Sequence, residues 1–203
     1  MIFLKESLLM ASIRKKNTSA ILFFIVIALT LSGISFYYYI DNYVNKVVYK
    51  IEYENNIRLY SSQYNVDTYL IMAIIKAESG YKPDAVSPVG AVGLMQIMPG
   101  TGKEIADKLK IQNYNDDMLK DPDTNIKFGC WYINWLNKEM NYNEKSVLAS
   151  YNGGIGNVKQ WLKNTSYSSD GVNITEIPYK ETKIYVEKVQ LFKTHFQHIY
   201  GNN

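Results

Sequence analysis

From Asn17 to Ile40 the chain carries no charged residue, and Ala20-Ile-Leu-Phe-Phe-Ile-Val-Ile-Ala-Leu-Thr-Leu-Ser-Gly-Ile-Ser35 is apolar almost throughout. A helix needs roughly 20 such residues to cross a bilayer core, so a helix is expected over residues 17–40. The pattern then changes. Val44, Val47, Val48, Ile51, Ile57 and Tyr60 recur at helical spacing and predict a helix over residues 41–62. Asp67 is positioned to cap a helix over residues 68–79, with Gly80 as its stop. Pro83, Pro88, Gly90 and Gly93 punctuate a loop over residues 81–92. Thr101 and Glu104 have capping-box spacing, predicting a helix over residues 101–110. Asp121-Pro122 opens another, with Pro at its first position. Its apolar set of Ile126, Cys130, Trp131, Ile133 and Leu136 is expected to run through the middle of the domain. Shorter helices are expected over residues 144–150 and 156–163, the latter carrying Trp161. A polar loop over residues 164–177 and Pro178 lead to a last helix over residues 179–199. No alternating β-branched run is long enough for a sheet, so the fold class is mainly α.

A length of 203 residues accommodates one ordinary domain and an appendage. Charge refines that division. The chain has 22 Lys and Arg against 19 Asp and Glu, a net charge of +3. Residues 1–40 hold Lys5, Arg14, Lys15 and Lys16 against Glu6, so the remainder carries 18 charges of each sign. The basic excess therefore flanks the apolar run, and the electrostatic footprint of a nucleic-acid binder is missing. Arg14-Lys15-Lys16 ahead of the run orients it by the positive-inside bias. The expected organisation is a cytoplasmic N-terminus (1–16), a membrane anchor (17–40), a linker helix (41–59) and an extracytoplasmic domain (60–203). Tyr37, Tyr38 and Tyr39 would lie in the outer interfacial belt. A cleavable signal peptide is the alternative, since Gly33 and Ser35 have the spacing of a cleavage site. The apolar run is, however, longer than the roughly 7–15 residues of a signal core.

The single Cys, Cys130, excludes a disulfide within the chain and lies far from the apolar run, against a lipid-modified Cys anchor. His195 and His198 stand three residues apart near the C-terminus with no third ligand candidate nearby. They read as a solvated helix face, and neither a metal nor a cofactor is expected.

Four segments carry candidate chemistry. Glu78 ends the apolar run Tyr69-Leu-Ile-Met-Ala-Ile-Ile-Lys-Ala-Glu-Ser-Gly80. The partial negative charge at a helix C-terminus and desolvation by apolar neighbours both push a carboxyl pKa up, as a general acid near neutral pH requires. Gly90-Ala-Val-Gly-Leu-Met-Gln-Ile-Met-Pro99 sets Gln96 between two Met residues, and a buried amide there needs partners that sugar hydroxyls or an N-acetyl group would supply. Ser150-Tyr-Asn-Gly-Gly154 has the composition of a turn, with Tyr151 able to offer an apolar face and a hydroxyl. Glu181 and Tyr185 stand four residues apart and are expected on one helix face.

Together, in this order, these segments resemble the SLT domain of bacterial lytic transglycosylases, which shares a fold with goose-type lysozyme. The resemblance covers about residues 60–200 and implies a lysozyme-like helical domain behind the N-terminal helix. It implies that Glu78 is the catalytic acid, that Gln96 and Met98 line the groove beside it, and that Ser87 sits on the rim. Tyr151 and Asn152 match the family's Ala-Tyr-Asn, with Ser150 in place of the Ala; Asn152 would hold an acetamido group. Glu181 and Tyr185 match the C-terminal motif, in which the Tyr hydroxyl approaches the catalytic carboxyl and the acid shapes the groove. The implied substrate is the glycan strand of peptidoglycan, cut between N-acetylmuramic acid and N-acetylglucosamine with formation of a 1,6-anhydro ring. Asp84, the nearest acid in sequence, is marked by no family motif as a second catalytic group. A goose-lysozyme-like hydrolase and a non-catalytic glycan-binding protein are the alternatives.

Overall fold

The computed structural model describes residues 2–201, which divide into two units, Met1–Lys50 and Ile51–Asn203. The side chains of Arg14, Lys15 and Lys16 lie outside the described residues, so the charge flank rests on sequence.

In the first unit, α1 (Ile2–Tyr43) passes into a π-helical turn over Val44–Val48. Its Ala20–Tyr43 portion, 24 residues long, contains an 18-residue stretch with a mean hydropathy of 2.3, none of which is buried. At about 1.5 Å per residue it exceeds a hydrocarbon core of about 30 Å, so this one helix is long and apolar enough to cross a membrane. Two of its hydroxyls bond within the helix. Thr30 donates to the Ile27 carbonyl at 2.8 Å and Ser32 to that of Leu29 at 2.9 Å.

The helix expected over residues 41–62 is not continuous. The Tyr49 amide closes back on the Val44 carbonyl at 3.3 Å, and Tyr53 takes a left-handed φ of 57°. Val47-Val48-Tyr49 is a run of β-branched and aromatic residues with little helix preference, and a left-handed residue ends any helix. A new helix, α2 (Glu54–Tyr64), begins inside the second unit, which starts at Ile51 rather than at 60. Ile57, Tyr60 and Ser61 are buried, so this segment belongs to the domain core.

The second unit is built around α3 (Thr68–Glu78), in which Ile71, Met72, Ala73, Ile74 and Ile75 are wholly buried. Asp67 caps it as expected, accepting from the Tyr69 amide at 2.8 Å and the Leu70 amide at 3.2 Å. Around it lie α4 (Pro99–Leu109), a 3-10 turn (Asp116–Lys120), α5 (Pro122–Glu139), α6 (Glu144–Gly153), α7 (Ile155–Leu162) and α8 (Lys180–Tyr200). The most extensive packing joins α3 to α8; α2 packs on α5, and α6 on α8 and α7. The helix after Asp121 packs on α2, α4, α6 and the 3-10 turn, so it runs through the middle of the domain as expected, alongside α3. That helix, α5, buries Ile126, Phe128, Cys130, Ile133 and Leu136 but leaves Trp131 half-exposed. Burial also pushes the Cys130 thiol up to about 12, so it serves as a small core residue.

Polar ties fix the helices. Lys193 of α8 bonds Glu144 of α6 at 2.6 Å and Asp67, the cap of α3, at 2.9 Å, joining three helices at a partly exposed site. Asp123 of α5 accepts from Tyr60 at 2.7 Å and Asn56 at 2.8 Å, locking α2. The α4 start differs from expectation. Pro99 occupies the first helical position and Met98 the cap, two residues ahead of Thr101. A ring with no N–H begins a helix without stranding a donor, so the capping box is not used.

Candidate active site

The site is assembled where the end of α3 meets the loop of residues 84–98. Isolated antiparallel bridges at Val86–Val92 and Val92–Ile97 shape that loop, and the described residues contain no longer strand. Gly93 has a φ of +82°, and a Cβ there would collide with the Asn125 amide and the Leu119 carbonyl, so only glycine fits. Asn125 of α5 is wholly buried and spends its amide on this loop. Its Oδ1 accepts from the Met95 amide at 2.8 Å, and its Nδ2 donates to the carbonyls of Val92 at 3.0 Å and Leu119 at 2.7 Å. The Ser79 hydroxyl reaches the Leu94 carbonyl at 2.9 Å, pinning the same loop to the end of α3.

Glu78 is the last residue of α3 and is half-buried. Desolvation raises its pKa from 4.5 to about 7. Two groups act against that rise, the Tyr185 hydroxyl and, through its charge, Lys188. Lys188 also donates to the Ala77 carbonyl at 3.0 Å, placing a cation at the negative end of α3. The Tyr185 hydroxyl is buried and makes no bond of strict hydrogen-bond geometry. It nonetheless favours the Glu78 carboxylate, lowering the pKa of that group. Tyr151 feels the charge of Glu78 as well, and its hydroxyl donates to the Met95 carbonyl at 2.6 Å.

Beside this cluster runs a groove of about 230 Å³ lined by Gln96, Met98, Thr101, Tyr132, Tyr151 and Asn152, with Ile97, Ser150 and Gly154 completing it. Glu78 does not line this groove; Tyr151 links the two. Met98 and Asn152 are exposed at the groove. Ser150 is buried with no partner for its hydroxyl.

Three candidates stand differently from the sequence reading. Gln96, with a left-handed φ of 48°, donates its side-chain amide to the carbonyls of Ala85 at 3.0 Å and Gly93 at 2.9 Å. Its N–H groups hold the loop, leaving only Oε1 for a ligand. Ser87 is outside the groove lining. Its hydroxyl accepts from the Ala91 amide at 2.9 Å and closes the turn. Glu181 is exposed in the first turn of α8 whereas Tyr185 is buried, so the two do not share an environment. Thr182, next to Glu181, packs on α6: a Cβ at Gly153 would lie 2.9 Å from its hydroxyl. Asp84 is exposed in the loop.

Sequence reasoning missed Asn125, Tyr132, Ser79 and Lys188. Only Asn125 left a signal, as a polar residue in the buried register that continues through Phe128, Gly129 and Ile133.

The helical frame puts the domain in the lysozyme-like class, and Glu78 is the one carboxyl among the described residues whose pKa is raised. More narrowly, the chain belongs to the Transglycosylase SLT domain family, whose profile matches residues 55–173. The soluble lytic murein transglycosylase of Escherichia coli K12 is 35% identical over 156 residues, 76% of this chain and 24% of that protein. Among solved structures, an inactive Glu-to-Gln mutant of the Pseudomonas aeruginosa lytic transglycosylase Slt matches with a TM-score of 0.67 at 30% identity, covering 76% of this chain and 25% of that one. The 70 kDa soluble lytic transglycosylase of E. coli matches with a TM-score of 0.67 at 31% identity, covering 75% and 25%. The chain thus spans about a quarter of the length of these relatives.

Proposed function

We propose that the chain is a membrane-anchored peptidoglycan lytic transglycosylase that cleaves the β-1,4 bond between N-acetylmuramic acid and N-acetylglucosamine. The observation that carries this reading is the Glu78 carboxyl with its pKa near 7, set in a lytic-transglycosylase fold. Near neutral pH such a group populates both protonation states, as one residue acting first as acid and then as base requires.

The steps follow. Protonated Glu78 gives its proton to the glycosidic oxygen, and the bond from that oxygen to the anomeric carbon breaks. The substrate's own acetamido group, or an oxocarbenium-like state, holds the anomeric carbon. Ionised Glu78 then removes the proton of the C6 hydroxyl, whose oxygen closes the 1,6-anhydro ring. The proton lost in the first step returns in the second, and no water is consumed. Tyr185 and Lys188 favour the carboxylate formed between the two steps. Tyr151, Asn152, Met98 and the free Oε1 of Gln96 face or border the groove that would hold the sugars. The two-carboxyl arrangement of most glycosidases has no counterpart beside Glu78 in this reading.

α1 is the proposed anchor, with residues 1–16 in the cytoplasm and the SLT domain on the cell-wall side. Its length, its hydropathy and its internally bonded hydroxyls support this. A Glu-to-Gln change inactivates the P. aeruginosa relative; Glu78→Gln is expected to do the same here. On purified sacculi, Glu78→Gln should lose at least about two orders of magnitude in turnover with helicity retained. A variant of undiminished activity would overturn the assignment.

A further inference from the structure

We propose that the face between α4 and α5 is an aromatic platform that seats a further sugar ring of the glycan strand, extending the groove beyond Tyr132. This rests on the glycan-cleaving reading above. A hollow of about 210 Å³ lies there, walled by Ile105, Trp131, Tyr132 and Trp135 and rimmed by Thr101, Glu104 and Lys108. Thr101 and Tyr132 line both this hollow and the groove beside Tyr151, so the two adjoin. Aromatic rings mark the path. Tyr151 and Tyr132 have centroids 5.7 Å apart, and Tyr132 and Trp135 are stacked at 5.6 Å with planes 16° apart.

The core does not need these indoles. Ile133 and Leu136 fill the buried side of α5, while Trp131 and Trp135, four residues apart, stay half-exposed; the third Trp, Trp161, is buried. Two large half-exposed rings beside a polar rim match a pyranose, which has apolar C–H faces and an equator of hydroxyls. The rings cover a face of the sugar, Glu104 accepts from a hydroxyl, and Lys108 donates to a hydroxyl or an acetamido oxygen. With one acid and one base on the rim, the hollow has no net charge to select a charged ligand. Its shared wall with the groove, Thr101 and Tyr132, designates the strand itself as the occupant.

The test uses the full-length chain in detergent, carrying Glu78→Gln to prevent turnover and fluorinated tryptophan as a probe. Peptide-free glycan strands of four and eight sugars are the ligands. The eight-sugar strand is expected to shift the signals of Trp131 and Trp135 and leave that of buried Trp161 in place. The ratio of affinities for the longer over the shorter strand is expected to fall about tenfold in Trp131→Ala/Trp135→Ala. Binding of the longer strand with both indole signals unmoved overturns the platform. So does a shift seen only with strands bearing stem peptides, which would make the peptide the occupant. The fluorine signals decide the matter even if the double variant fails to fold. Turnover of sacculi by the unsubstituted enzyme separates the two failures: cleavage without indole shifts rejects the platform alone, and absence of both binding and cleavage rejects the glycan reading along with it.

Discussion

Replacing Asn125 by Ala removes the one side chain that holds the 92–95 loop segment against α5. Three buried or part-buried backbone groups then lose their partner: the Met95 amide and the carbonyls of Val92 and Leu119. A stranded group costs about 1–3 kcal/mol. Taking the lower half of that range for each gives a loss of about 3–6 kcal/mol. For a domain of this size that corresponds to roughly 10–20 °C in Tm. Tryptophan fluorescence suits the measurement, because Trp131, Trp135 and Trp161 all lie in the second unit and none in α1. Asn125→Asp sharpens the argument. It keeps the acceptor for Met95 but turns an oxygen toward two carbonyls, so its ionised form is repelled and its folded pKa rises above the usual value of about 3.9. A raised carboxyl pKa means stability present at low pH and lost as pH rises. Asn125→Asp should therefore lie closest to the wild type near pH 4 and fall progressively below it toward pH 8. A loss under about 1 kcal/mol for Asn125→Ala, or a pH-independent penalty for Asn125→Asp, would refute the clamp.

Gln96→Ala should lower stability by about 1–3 kcal/mol in urea unfolding, since its amide bonds two loop carbonyls; a variant that loses turnover at unchanged stability would return Gln96 to a purely ligand-binding role. Tyr185→Phe and Lys188→Met each remove a group that lowers the Glu78 pKa, so both should move the alkaline limb of the kcat/KM profile to higher pH; a shift downward contradicts the geometry. Glu78 holds its proton up to about pH 7 when folded, against 4.5 as an ordinary carboxyl, so the wild type should lose stability relative to Glu78→Gln as pH rises from about 4.5 to 7. The difference is at most about 3 kcal/mol, less in proportion to the water that reaches the half-buried carboxyl; parallel stability curves across that window would show an unperturbed Glu78.

Helix existence was largely legible in the sequence because each helix has both an apolar stripe and a local stop or start. Asp67 and Asp121 cap where expected, and Glu78 ends its helix. Boundaries were lost where a backbone conformation outside the helical pattern intervened. Tyr53 in the left-handed region breaks the run after Tyr49, and Pro99 starts α4 ahead of Thr101. Periodicity also fails to rank burial. α3 and α5 both show apolar stripes, yet α3 is buried without interruption from Leu70 to Ile75, whereas α5 leaves Trp131 and Trp135 half-exposed. At the site, four of the residues singled out in the sequence, Glu78, Met98, Tyr151 and Asn152, lie at the cluster or the groove. Whether an amide faces a ligand or its own backbone is decided by loop geometry, and this is why Gln96 and Ser87 emerged as loop-holding residues. Lys188 was invisible for a related reason: it stands 110 positions from Glu78 in sequence and meets it only because α8 packs on α3.

The central claim is that one carboxyl, Glu78, cleaves the strand without water. Mass spectrometry of the muropeptides released from purified sacculi by the full-length enzyme tests it most directly. The account predicts products ending in 1,6-anhydro-N-acetylmuramic acid, each lighter by one water than its hydrolytic counterpart, and none from Glu78→Gln. Products with ordinary reducing ends would contradict it and make the enzyme a hydrolase, and anhydro products from Glu78→Gln would remove Glu78 from the chemistry.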